Sequence, residues 1–572
     1  QGSTSTQLTM MEKRVPVIAL RSAQAKYNAG AKIILSALVS ASVGPVSTQW
    51  TSDIYNINAT GATLTTTAGR YSTGSALVQL VLPPNVLVSG VAYTFTLRAR
   101  YTALDASAAT TRVTVMINEP PHGGTLTVSP ATGTALSTIY LIRSSYWEDD
   151  EGDLPLTHVI SYYLLSPTDL ILIKGPDEVS YASTLLGSGL AVYNYQVTCV
   201  VNVTDIFGGT IGAGMTVTAV PALTTRLTVN AAAASLASAL QSTDPTLIGQ
   251  AIGASLAAVN VVDCTVPVAC GTLNRGVCQS TAKTCGRCLF GYIGIDGDSN
   301  VACKASATTA CPSGTCRVAL PLQPIGGLCT SSAACVTDQC TNGRCADVLK
   351  TCPGACSNNG QCTYRDAVGA EIDECYVSDA SCRAVCSCNS NGFGGDCSLI
   401  SSNFLNLIKV RNSVCEGILQ SVSTQDPSAE YASARALSVS KVLQDLTQIS
   451  DGALHNCTTA LVQTVVQNPV FACAGEGLIL VTSALSKVLE RGASLPSDLL
   501  EGVNSALVAL TDGCLESFAV GEAPLTINND NMRLITVVAD KNTASDLELS
   551  PPQSAFELFN KDPVPTVSLG ST

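Results

Sequence analysis

Cys264-Thr265-Val266-Pro267-Val268-Ala269-Cys270 opens, and Cys386-Ser387-Cys388-Asn389-Ser390-Asn391-Gly392-Phe393-Gly394-Gly395-Asp396-Cys397 closes, a run that holds 20 of the chain's 25 cysteines. Short modules this dense in cysteine cannot bury a large apolar core, so cross-links hold them, and they belong to an oxidising compartment. The cysteines divide into three even groups. Cys264, Cys270, Cys278, Cys285, Cys288 and Cys303 form the first. Cys311, Cys316, Cys329, Cys335, Cys340 and Cys345 form the second. Cys352, Cys356, Cys362, Cys375, Cys382, Cys386, Cys388 and Cys397 form the third. Even groups with short loops suit sequential disulfide modules. Cys285-Gly286-Arg287-Cys288 has the spacing of a redox pair or half a zinc site. The chain's three histidines, His122, His158 and His455, all lie outside the run, so structural disulfides are expected. The total is odd, which leaves one thiol free or paired outside this sequence. Cys199 has no evident partner in its own stretch and is the nominee.

The run separates a Thr/Val-rich front from an Ala/Leu/Ser-rich back in a chain of 572 residues, long enough for several domains. A net charge of −13 argues against nucleic acid as a partner. Charged residues are only 13% and aliphatics abound, so most of the chain should fold. No stretch of eighteen apolar residues occurs. The longest candidate, residues 248–262, is broken by Gln250, Ser255 and Asn260, so no membrane span is expected, and the chain reads as a secreted ectodomain. Asn58, Asn202 and Asn456 stand in glycosylation sequons.

Before the run, short β-branched or alternating segments separated by Gly, Pro and Asn predict strands. Residues 15–20, 31–39, 48–51, 76–82, 92–101 and 111–117 fall in a first unit, 1–118. Residues 125–128, 139–143, 158–165, 192–203 and 212–220 fall in a second, 119–222. Trp50 and Trp147 are each the only Trp of their unit, and a lone Trp on an early-middle strand suits an immunoglobulin-like sandwich. Glu148-Asp149-Asp150-Glu151-Gly152-Asp153 follows the second Trp. Clustered carboxylates beside Gly can chelate calcium at a domain junction, with Asp149, Asp150 and Asp153 as ligands, or can form a solvated acidic loop. Asp296-Gly297-Asp298-Ser299-Asn300 starts like an EF-hand loop, but Val301 and Ala307 stand where Gly and Glu belong, so it reads as a turn. Glu371-Ile372-Asp373-Glu374-Cys375 echoes a calcium-binding EGF opening but sits inside a loop.

Residues 223–262 predict a helical connector, with Asp244-Pro245 as cap and first residue of its second helix. The cysteine modules then occupy 263–304, 305–348 and 349–398. From 399 to 520, apolar residues recur at helical steps, as in Phe404, Leu407, Ile408, Val414, Cys415 and Ile418. Asp426-Pro427 is expected to cap the next helix. Gly492 and Gly513 are expected to stop two later ones. Five helices would form a bundle, stapled by bridges among Cys415, Cys457, Cys473 and Cys514 whose pairing stays open. Residues 521–572 return to strand patterning at 525–527 and 534–538.

Pro120-Pro121-His122-Gly123-Gly124-Thr125-Leu126-Thr127-Val128-Ser129-Pro130 and Trp147-Glu148-Asp149-Asp150-Glu151-Gly152-Asp153-Leu154-Pro155-Leu156 resemble the receptor-for-egg-jelly (REJ) module. That module belongs to polycystin-1-like ectodomains and to protist and algal surface proteins. The likeness covers roughly residues 75–222. It implies tandem immunoglobulin- or fibronectin-III-like sandwiches, an extracellular site and no catalytic residues. The third cysteine group resembles an EGF-like module. That resemblance implies pairing of Cys352 with Cys362, Cys356 with Cys386, and Cys388 with Cys397, while the long insertion brings Cys375 and Cys382 as a further pair. The first group looks like a related unit. The helical region running into strands resembles the start of a GAIN-like region.

No His-Glu-x-x-His, G-x-S-x-G or phosphate-binding Gly-Lys-Ser/Thr loop is present, and no enzyme is expected. The expected architecture is multidomain: all-β sandwiches, disulfide-rich EGF-like modules, then an α-helical bundle with a terminal β segment. The expected function is a structural or adhesive extracellular glycoprotein of a cell-surface or ciliary (flagellar) assembly. The alternative is the ligand-recognition ectodomain of a polycystin-1-like receptor associated with a polycystin-type channel. Partners would be other extracellular or membrane proteins, or copies of itself. No cofactor is expected beyond calcium. The cysteine run reads as a rigid spacer that holds the front and back regions apart.

Overall fold

A computed structural model describes residues 15–21, 24–102, 108–221, 225–242, 244–264, 269–305, 322–492, 495–539, 548–561 and 567–568. Cys311, Cys316 and Ala307 lie outside these residues.

The first β unit contains β1 (Val17–Leu20), β2 (Tyr27–Asn28), β3 (Ile33–Ala41), β4 (Val46–Ser52), β5 (Ala68–Tyr71), β6 (Gly74–Leu82), β7 (Ala92–Tyr101) and β8 (Ala109–Asn118). They form two sheets, β1-β3-β6 and β2-β8-β7-β4-β5. Alternate residues of β3 and β7 are buried, because a strand facing a second sheet on one side hides every other side chain. Trp50 on β4 lies in that core, with Phe95, Leu97 and Leu80.

The second unit repeats the plan with β9 (Thr125–Ser129), β10 (Thr132–Thr134), β11 (Ile139–Ser145), β12 (Thr157–Tyr163), β13 (Ile171–Asp177), β14 (Tyr181–Leu185), β15 (Gln196–Thr204) and β16 (Thr210–Val220). Its sheets are β14-β11-β9 and β10-β16-β15-β12-β13. Trp147 does not repeat the role of Trp50. It lies beyond β11, half-buried, donating from Nε1 to Ser144 Oγ at 2.6 Å. Its ring lies where a Cβ on Gly124 would stand, 1.9 Å from that position. Cys199 on β15 is buried and free.

The helices are α1 (Thr225–Ser242), α2 (Pro245–Val259), α3 (Ser401–Thr424), α4 (Ala429–Val442), α5 (Asp451–Gln467), α6 (Pro469–Cys473), α7 (Gly477–Leu489) and α8 (Ser497–Leu515), with a late turn α9 (Ala555–Asn560). Asp244 caps α2, accepting from Thr246 N and Leu247 N, with Pro245 in the first turn. Asp426-Pro427 does not cap α4; Ser428 does, accepting from Tyr431 N. Nor does Gly513 end a helix. It lies inside α8, where a Cβ would come within 2.7 Å of Pro469. Its absent side chain serves close helix packing.

Residues 223–262 are not a separate connector. Ile248, Ile252 and Leu256 of α2 share one core with Val414 and Ile418 of α3, Val439 of α4 and Leu461 of α5. Arg411, 2% exposed, fastens this layer from its centre: it donates to Gln448 Oε1, to the carbonyls of Lys441, Val442 and Val259, and to Asn260 Oδ1. Cys415–Cys457 and Cys473–Cys514 staple the layer.

The layer also packs directly on the second β unit. Gln250 Nε2 donates to Ile173 O of β13, and Tyr431 of α4 stands where a Cβ on Gly175 would be. The cysteine run therefore does not hold the front and back apart; it leaves the helical layer after α2 and returns to it at α3. Among the described residues of the run the bridges are Cys264–Cys278, Cys270–Cys285, Cys288–Cys303, Cys329–Cys340, Cys335–Cys345, Cys352–Cys362, Cys356–Cys386, Cys375–Cys382 and Cys388–Cys397. Among the described residues the run carries seven short strands: β17 (Tyr292–Ile293), β18 (Lys304–Ala305), β19 (Cys340–Thr341), β20 (Arg344–Cys345), β21 (Gly360–Asp366), β22 (Glu371–Ile372) and β23 (Cys382–Cys388). Arg275 fills the centre of the first group and donates to the carbonyls of Val301, Gly286, Gly297 and Ile295. A guanidinium saturated by carbonyls does here what an apolar core does in a larger domain.

The last segment, with β24 (Leu525–Asn529), β25 (Met532–Thr536), β26 (Glu548–Leu549) and β27 (Val567–Ser568), returns across the molecule. Lys32 of the first β unit pairs with Glu522 at 2.8 Å, and its ammonium lies 4.4 Å from the Phe518 ring centre.

Candidate metal centre

The acidic run lies at the junction of the two β units, against residues its sequence neighbourhood does not reveal. β8 ends at Asn118, and the short turn Glu151–Asp153 brings Asp153 inward to 1% exposure. The β15–β16 turn adds Asp205, whose Oδ1 accepts from Phe207 N at 2.7 Å and Gly209 N at 3.0 Å. The turn needs its glycines. Gly208 has φ +83°, and a Cβ on Gly209 would lie 2.3 Å from Asn118 Nδ2 and 2.4 Å from Asp205 Oδ2. Asn118 Nδ2 donates to Asp205 Oδ2 at 2.7 Å and to Asn28 Oδ1 at 3.0 Å, and Asn28 Nδ2 donates to Phe207 O at 2.8 Å. Residues from both β units thus meet in one polar knot.

Within it, one carboxylate oxygen from each of Asp149, Asp153 and Asp205 lies within 4.8 Å of the others. Asp149 Oδ1 accepts from Asp150 N at 2.8 Å, but its Oδ2 is sealed from solvent with no partner among the described residues, and so is Asn118 Oδ1. Burial, followed by the nearby charges of Asp205, Asp153 and Asp150, pushes the Asp149 carboxyl up from its ordinary range, against the pull of the Asp150 amide. Lys26 from the first unit supplies the resident positive charge, with Nζ 2.5 and 2.6 Å from the two oxygens of Asp153. Asp150 stays at the exposed rim, 3.4 Å from Lys26.

Of the residues expected from sequence, Asp149 and Asp153 come together, while Asp150 lies outside the cluster. Asp205, Asn118 and Asn28 carry no signal beside the acidic run. The antiparallel register of β12 with β15, pairing Thr157 with Thr204, is what brings Asp205 alongside. Three carboxylates form an all-oxygen donor set, the chemistry hard divalent cations take, and Asn118 borders it through its bond to Asp205. One ammonium cannot balance three carboxylates in a partly dehydrated pocket.

The other motifs are absorbed by structure. Cys285 and Cys288 bond different partners, Cys270 and Cys303, so they form neither a redox pair nor a zinc half-site. Asn300 Oδ1 accepts from Cys285 N and its Nδ2 donates to Lys283 O, which makes the Asp296–Asn300 stretch a tied-down turn. Glu374 accepts from Tyr376 Oη. His455 lies at the surface, 3.4 Å from Asp498. Among the described residues, no helix is long and apolar enough to cross a membrane.

No curated protein matches the chain. Solved structures that align with it include a 1.5-MDa bacterial ice-binding adhesin, 14% identical over 37% of this chain and 66% of that one, with a TM-score of 0.19. A protein from Corynebacterium diphtheriae described as membrane anchored aligns at 14% identity over 36% of this chain and 54% of that one, with a TM-score of 0.14. Scores this low carry no argument about fold or function. The family described as REJ domain matches residues 1–254, which takes in both β units, α1 and most of α2. That match reaches further in both directions than the motif-bearing residues 75–222. The REJ domain is not an enzyme family, and together with the disulfides it is consistent with an extracellular location. Residues 1–254 of this chain match the REJ domain family.

Proposed function

We propose that this chain is the non-enzymatic ectodomain part of a polycystin-1-like surface protein, which presents a stiff, disulfide-locked surface to an extracellular partner. The REJ match over residues 1–254 carries this reading. In it, the two β units are immunoglobulin- or fibronectin-III-like, the first and third cysteine groups are EGF-like, and the late helices and strands begin a GAIN-like region. The partner is a membrane or extracellular protein, with a polycystin-type channel as the first to try. A structural or adhesive subunit of a ciliary or surface coat is the second reading. The density of cross-links favours it, because subunits of such assemblies must resist proteases and shear.

Oligomeric state separates the two. A receptor ectodomain runs as a monomer in light scattering at micromolar concentration; a coat subunit forms repeating homo-oligomers that cross-linking captures. Asn58 is the sequon residue most open to solvent and is expected to carry glycan, with Asn202 and Asn456 half-buried. Peptide mass spectrometry after deglycosylation in heavy water reads each site.

The junction cluster serves either reading as a calcium clamp, with Asp149, Asp153 and Asp205 as ligands. Calcium added to chelator-treated protein should raise its melting temperature, and D149N and D205N should each weaken binding by about tenfold. If calcium neither binds nor shifts the melt, Lys26 alone is the cation of this junction.

A further inference from the structure

A cavity of about 860 Å³ lies where the helical layer meets the second β unit. Its walls come from β13, from α2, α3 and α4, and from the Cys264–Cys278 bridge. Ile171, Ile173, Ile252, Leu256, Ile418 and Leu437 make it predominantly apolar. Close-packed interiors hold few voids larger than a water molecule, so a space of this size is a binding volume by its dimensions. A partner's helix, about 10 Å across, would fill it within about two turns, too little for helix docking.

One polar wall departs from the rest of the protein's chemistry. Among the described residues three arginines are buried, Arg275, Arg411 and Arg435. Arg411 donates all five of its hydrogens to protein acceptors, and Arg275 donates four. Arg435 lines the cavity and donates only from Nε to Ser421 Oγ, and from Nη2 to Ser421 O and Gln425 Oε1. Its Nη1 has no protein acceptor, and Arg435 makes no ion pair among the described residues. The other cation of the cavity, Lys441, is already matched by Asp169 at 2.8 Å. A guanidinium held by neutral partners, with a free edge beside an apolar chamber, is half of a site for an amphiphilic anion.

We propose that this cavity binds a single-chain amphiphile with an anionic head, of the fatty-acid class, its chain among the isoleucines and leucines and its head on Arg435 Nη1. Such an occupant would lie across the seam between the second β unit and the helical layer, so its binding would tighten their contact.

Myristate and uncharged myristyl alcohol, titrated into the delipidated full chain by calorimetry, test this. Saturable binding of about one myristate per chain is expected, with the alcohol at least tenfold weaker. R435Q should abolish that difference by weakening myristate alone. A434F, which fills the chamber, should weaken both, and melting curves confirm that each variant folds. If R435Q fails to fold, A434F on its own decides. No saturable binding, equal binding of acid and alcohol, or binding untouched by A434F would overturn the assignment.

Discussion

Cys199 is the one thiol without a bridge among the described cysteines, and its surroundings explain why this is tolerated. It lies at 0% exposure between the sheets of the second unit, and burial pushes its thiol up to about 12. The thiolate is the nucleophile, so this cysteine is inert in the folded protein. Iodoacetamide at pH 8 should leave it unmodified for hours and alkylate it fully in guanidinium. His158 on β12 is a second buried group with a consequence. Burial, aided by Lys174, lowers its pKa from the ordinary 6.5. Below about pH 6.5 the unfolded chain therefore takes up a proton that the folded chain refuses, and stability falls with acidification until the folded form also titrates. H158Q should flatten that part of the acid limb in denaturant melts at pH 5 to 7, relative to wild type. Both positions are visible in the sequence as a lone Cys and a lone His. Their burial became known only from the packed sheets: Cys199 lies on the inner side of the alternating β15, while β12 is buried continuously from His158 to Tyr162.

At the scale of elements, what was legible follows from how local each signal is. The Asp244 cap is read from two consecutive residues, Asp244-Pro245, and D244A should cost about 1 kcal/mol in a thermal melt. Gly513 shows the opposite case. A glycine near the end of an apolar stripe has the pattern of a stop signal, but Pro469 of another helix decides its role. G513A should destabilise by about 1–3 kcal/mol through overpacking against Pro469. The bridge Cys415–Cys457 joins α3 to α5 across a separation of 42 residues. Replacing both cysteines by serine should lower the unfolding free energy by about 4 kcal/mol, read as a shift of the denaturation midpoint. β13 lies outside the segments expected as strands, and it contains Gly175-Pro176. It is an edge strand with shifted register, where proline is tolerated, and its free edge is where α2 and α4 pack.

The whole molecule is a closed arrangement in which distant parts of the chain meet. Lys32 reaches Glu522, Lys441 reaches Asp169, and Arg287 reaches Asp530. Zero-length carbodiimide cross-linking at low protein concentration should recover the Lys32–Glu522 and Lys441–Asp169 pairs within single chains. An extended string of modules on a cysteine-rich spacer would yield neither.

The sequence by itself determined a disulfide framework consistent with an extracellular location, the order of β-rich, cysteine-rich and helical regions, and the REJ resemblance. All three rest on composition and on spacings within a few tens of residues. In the cysteine run, every bridge among the described residues closes between cysteines 7 to 30 positions apart, a range a linear reading can encompass. Only the tertiary structure decided that Asp205 and Asn118 join Asp149 and Asp153, that the helices before and after the run share one core, and that a chamber opens between that core and β13. Those outcomes depend on strand register and on which apolar face finds which partner. Periodicity shows that a face must be buried; packing alone selects what buries it.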